Sequence, residues 1–89
     1  METTYMENRR NKHFKYYKIW GGVYRDESTG QANEAFVGMQ YGRIGSEGRT
    51  LFKSFTGPYC HTDAWAFLNG KISEKLAEGY QVCEEREIK

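Results

Sequence analysis

Eighty-nine residues with a formal net charge of +1 make a single domain, residues 1–89, with no room for a second core. Leu, Ile and Val number only ten against fourteen aromatic residues, so rings, each burying roughly 150–250 Å², either build much of the core or stand exposed for binding. No apolar run approaches the roughly 18 residues that span a bilayer, and Glu2 stands where a signal peptide carries basic residues; the reading is a cytoplasmic protein, with Cys60 and Cys83 as reduced thiols.

In chain order, Tyr5 to Arg10 reads as a weak strand. Lys12 to Tyr24 reads as a strong one, rich in the aromatic and β-branched types that suit a pleated surface, with Gly21-Gly22 predicting a bulge or sharp bend. Residues 26–34 carry dense turn chemistry and form a loop. Ala35 to Ile44 is the next strand, Gly45-Ser46-Glu47-Gly48 a hairpin turn, and Arg49 to Phe55 the return, stopped by Gly57-Pro58. Thr62 or Asp63 is placed to cap a helix running to about Glu78, with Trp65, Leu68, Ile72 and Leu76 as its apolar stripe and Gly79 as its stop. The fold class is α+β: an antiparallel sheet of three to four strands with one C-terminal helix packed across it. Trp20, Trp65 and Tyr80 are expected in that packing.

Charge is unevenly distributed. Arg9, Arg10, Lys12, Lys15, Lys18 and Arg25 carry a local +6 with no acid among them, and residues 41–62 add +2; residues 1–8, 26–40 and 63–89 carry −2, −3 and −2. Such polarity steers an anionic partner to one face, or else decorates an ordinary solvated surface.

The run Gln40-Tyr41-Gly42-Arg43-Ile44-Gly45-Ser46-Glu47-Gly48-Arg49 resembles the signature of the WGR domain family, a Trp-Gly-Arg triplet running into an Ile/Val-Gly-x-x-Gly turn. Tyr41 stands where that family has tryptophan. Asn11-Lys12-His13-Phe14-Lys15-Tyr16 is similar to the family's Asn-Lys-x-Phe/Tyr start of a strand, and Phe55, Ala64, Leu68, Ile72, Lys75 and Gly79-Tyr80 match its helix and closing Gly-Tyr. The likeness covers roughly residues 5–82. WGR domains occur in poly(ADP-ribose) polymerases, where they help bind DNA ends and pass the signal to a catalytic domain, and in bacterial regulators and short free-standing proteins. The resemblance therefore implies a free-standing binding module with Tyr41 and Arg43 at a DNA or interdomain contact.

Arg43 offers a planar fork of donors suited to phosphate, Tyr41 a flat face for a sugar or base, and Gly42 room for a close backbone approach. Arg49 and Lys53, at i and i+4 on the return strand, share a face and widen the basic surface, as does Lys12. Strand alternation also sets Tyr41 and Arg43 on one face with Val37 and Met39, so a purely structural role is open to both: Tyr41 finishing the core, Arg43 pairing a carboxylate at its rim. The sequence holds no nucleophile with an activating base, no metal-ligand spacing and no nucleotide-binding loop, and a non-catalytic protein without cofactor is expected. DNA is the expected partner; a protein-interaction adaptor, binding an acidic protein or a second copy, is the alternative.

Overall fold

A computed structural model describes residues 3–12 and 14–85. His13, one position of the motif that opens the second strand, lies outside them, as do the first two and last four residues. The elements are β1 (Thr4–Asn8), a single 3-10 turn (Arg10–Lys12), β2 (Lys15–Arg25), β3 (Ala32–Arg43), β4 (Arg49–Thr56), the helix α1 (Cys60–Ala77) and a short β5 (Gln81–Val82).

All strands join one antiparallel sheet in the order β4-β3-β2-β1-β5. The count of five exceeds the expected three to four because the chain turns at Gly79 (φ +106) and returns to pair Gln81 and Val82 with Glu7 and Met6. The α+β architecture is as expected.

Alternation along the strands divides the sheet into two faces. Met6, Tyr17, Ile19, Ala35, Val37 and Met39 form the core with Cys60, Ala64 and Leu68 of α1. Cys60 and Ala64 are fully buried small residues, which lets the helix lie close over Ala35 and Val37. The helix stripe is thus rotated from the expected one. Leu68 is buried and Ile72 partly so, but Trp65 and Leu76 are 48% and 47% exposed. Trp20 is not in this core either; it lies on the opposite, open face of the sheet. Tyr80 packs edge-on against Tyr17, in keeping with a structural role.

Two local expectations are corrected. Gly21-Gly22 forms no bulge: the β2–β3 register runs unbroken from Lys15 to Tyr24 and shifts only at Arg25. Gly22 instead makes room for a ring, since a Cβ there would sit 2.7 Å from Phe36. The helix starts at Cys60 with Tyr59 as its N-cap and no capping side chain, ahead of Thr62 and Asp63. The Gly57 turn (φ +100) launches it directly, Cys60 N–H donating to the Gly57 carbonyl at 3.2 Å.

Candidate nucleic-acid interface

The β3–β4 hairpin sets the site. Gly42 and Gly48 are required by the hairpin itself: a Cβ on Gly42 would lie 2.7 Å from the Gly48 Cα. The backbone that approaches Gly42 is therefore the chain's own turn. Gly48 holds φ +62, open to glycine and costly for other residues. Tyr16 Oη and Gln40 Nε2 both donate to the Glu47 carbonyl, at 2.6 and 2.7 Å, and Ser46 Oγ donates to the Arg43 carbonyl at 2.7 Å. These bonds pin the turn over the open face of the sheet.

Tyr41 and Arg43 consequently point to the helix side, with Arg49 directly opposite Tyr41 and Lys15 directly opposite Arg43. The Tyr41 ring is half-buried and stacks on Tyr17 with centroids 5.9 Å apart and planes 16° from parallel. Tyr17 is buried, and its phenol is pushed up to about 12, first by burial and then by the carboxylate of Glu74. A cleft of about 300 Å³ opens beside this pair, floored by Tyr17, Met39, Tyr41 and Leu51 and edged by Lys71 and Lys75 of α1. Arg43 and Arg49 are exposed, and among the described residues neither has a carboxylate partner. Of the two readings open to Arg43, pairing at the rim is not observed among the described residues; Tyr41 both packs on Tyr17 and lines the cleft.

The predicted residues are only partly brought together. Tyr41, Gly42, Arg43 and Arg49 form one group. Lys53 shares the face but lies opposite Val37, and its ammonium sits over the rings of Phe67 and Phe55, 4.6 and 5.7 Å from their centroids. Lys12 is exposed on the 3-10 turn, at the same end of the sheet as the hairpin but outside β2, and its φ of +60 takes it out of the extended chain.

Three basic residues join the site without having been singled out for it. Lys15 enters by strand register, and Lys71 and Lys75 by the helix passing over Tyr17. Lys71 pairs with Glu74 at 3.3 Å and Lys75 with Glu78 at 3.2 Å, while Lys75 also stands over the Tyr17 ring at 4.9 Å. Pairs like these, with half-exposed carboxylates, are worth about 0–1 kcal/mol, so the ammonium groups are readily redirected to another anion. The i, i+4 spacing of the two lysines was the available signal; which side of the helix faced the sheet was not legible.

Elsewhere the long basic run is dispersed. Arg9 pairs with buried Glu7 at 3.1 Å, Lys18 pairs with Glu85, and Arg25 donates to the Gly30 carbonyl. A second cleft, of about 410 Å³, lies at the β1–β5 edge and carries Arg9 and Arg10, but Glu7 in its wall offsets their charge. Among the described residues no group of three or more His, Cys, Asp or Glu gathers as metal ligands, and no helix is long and apolar enough to cross a membrane.

The family model of the WGR domain matches residues 2–87, nearly the whole chain. No curated protein and no solved structure gives a significant match. With the Tyr-Gly-Arg triplet, its glycine turn and the helix in their expected places, the chain belongs to the WGR domain family.

Proposed function

We propose that this protein is a non-catalytic module that binds DNA, favouring ends or nicks over sequence, through the surface around Tyr41. WGR is a nucleic-acid-binding type of domain rather than a catalytic one, and that supports the class of function. The observation that carries the reading is the convergence of Arg43 and Arg49, which have no carboxylate partner among the described residues, with Lys15, Lys71 and Lys75 around a half-buried tyrosine and an apolar cleft. Phosphates fit the guanidinium forks, and a terminal sugar or base, exposed only where the duplex is interrupted, fits the ring. Tyrosine in the tryptophan position keeps a stacking face of smaller area.

The test is fluorescence anisotropy with blunt, nicked, single-stranded and circular DNA at about 50 and 200 mM salt, where phosphate-driven binding weakens steeply. Ends and nicks are expected to bind more tightly than closed circles. Equal affinity for circles removes the end preference. Absence of binding at the lower salt removes the nucleic-acid reading.

A further inference from the structure

The open face of the sheet carries a second feature, away from the cleft. Trp20 and Tyr24 of β2, Phe36 of β3 and Phe52 of β4 form a connected chain of rings: Trp20–Phe52 at 5.9 Å, Phe52–Phe36 at 6.3 Å and Phe36–Tyr24 at 5.5 Å between centroids. Two glycines lay this platform flat. Side chains at Gly38 and Gly22 would collide with the rings of Trp20 and Phe36, which lie over them. Phe52 and Tyr24 remain 64% and 57% exposed, far more than a structural role for these rings requires.

The charges bordering the platform decide what covers it. Register places Lys18 beside Gln40 at one end and Glu34 beside Tyr24 at the other. Beyond Glu34 lies the loop bearing Asp26 and Glu27, while Lys15, Arg43 and Arg49 project from the other, helix-bearing side of the sheet. Of the open-face positions of β2, β3 and β4 Lys18 alone is a cation, and with Glu85 beside it and Glu34 at the other end the face offers phosphate no net positive charge, whereas a partly exposed pair worth about 0–1 kcal/mol lets Lys18 turn to a carboxylate of a second copy. A nucleic acid is therefore poorly served here. A second copy of the chain is well served. A two-fold axis in the plane between two facing sheets, crossing the strands midway between Trp20 and Gly22, superposes the Lys18 end of one copy on the Glu34 end of the other. It does so twice, by symmetry. The four rings supply the dry, apolar centre that such an interface needs.

We infer that the open face joins two copies of this chain face to face, with strands antiparallel, Trp20, Phe36 and Phe52 at the centre, and Lys18 of each copy against Glu34 of the other. The interface leaves the Tyr41 cleft of both copies on the outer, helix-bearing sides. Such a dimer presents two DNA-binding surfaces facing in opposite directions.

Sedimentation equilibrium from about 1 to 500 µM, the weaker range for protein interfaces, tests it. Wild type is expected to reach twice the 10.4 kDa chain mass. Phe52→Glu, on an exposed side chain, is expected to stay at the single-chain mass with an unchanged circular dichroism spectrum. The decisive arm is a charge swap. K18E and E34K chains are each expected to be monomeric alone, because both symmetric contacts become repulsive, and to form a 1:1 heterodimer when mixed, because both become attractive. A monomeric wild type throughout, a dimer indifferent to Phe52→Glu, or a mixture that fails to pair overturns the proposal. A monomeric wild type whose oligonucleotide affinity falls with Phe52→Glu overturns it in favour of nucleic acid on this face.

Discussion

Replacing Gly48 by alanine should unfold the hairpin that carries the site, and replacing Gly45 should not. Both residues hold left-handed backbone, φ +62 and +92, so each alanine incurs roughly 1–2 kcal/mol from backbone conformation alone. Their surroundings differ. A Cβ at position 45 meets nothing within 4 Å, whereas one at position 48 would collide with the Tyr41 carbonyl and lie 2.8 Å from Tyr16 Oη. Relief requires the turn to move, and movement breaks the bonds from Tyr16 and Gln40 to the Glu47 carbonyl, each worth about 0.5–1.5 kcal/mol. Gly48→Ala should therefore cost about 2–5 kcal/mol and Gly45→Ala about 1–2 kcal/mol. In a domain of this size each kcal/mol moves Tm by roughly 4–8 °C, so thermal unfolding followed by circular dichroism separates the two clearly. Equal losses in the two variants would refute the reasoning, because the backbone penalty would then account for everything and the packing of the turn for nothing.

Other expectations follow from the same packing. Leu68→Ala, at a side chain 4% exposed in the core, should cost about 2–5 kcal/mol in urea unfolding, and Trp65→Ala, at a ring 48% exposed, should cost well under half of that. Gly38→Ala should tilt Trp20 off the sheet and cost about 1–3 kcal/mol, with a shift in tryptophan emission as its signature. Tyr17 ionises near pH 12 in the folded protein against a usual 10.0, so the fold retains a proton that the unfolded chain releases. Stability should be full below pH 10 and fall as pH rises from 10 toward 12, by at most about 3 kcal/mol from this group, with Tyr16 and Tyr80, also raised by burial, adding to the slope. Urea midpoints at pH 8, 10 and 11 measure it. Tyr41→Ala should weaken binding to DNA ends by about 1–3 kcal/mol, the range for one lost stacking contact.

Local signals in the sequence carried the strands, the hairpin and the helix, because alternation, turn glycines and periodicity are properties of short segments. What was not legible depended on how segments met. The helix stripe was misassigned because Trp65 and Leu76 are more hydrophobic than Cys60 and Ala64, while close packing on Ala35 and Val37 favours the smaller pair. The glycines of β2 read as a bulge because their use, space beneath Phe36, depends on a ring from the neighbouring strand. In the candidate site, Tyr41, Gly42, Arg43 and Arg49 were legible because one hairpin holds them. Lys15, Lys71 and Lys75 were not, since they arrive by cross-strand register and by the helix crossing. Lys53 shows the converse: its i, i+4 spacing does set it on one face with Arg49, but its ammonium lies over Phe67.

The most direct test of DNA binding at this surface is the salt dependence of affinity for a blunt duplex, compared between wild type, Arg43→Ala, Arg49→Ala, the double variant and Lys53→Met. If Arg43 and Arg49 each hold a phosphate, each single variant should lower the slope of log affinity against log salt by about 0.9 and the double variant by about twice that, with Lys53→Met unchanged. A double variant that binds with the wild-type affinity and slope would contradict the account.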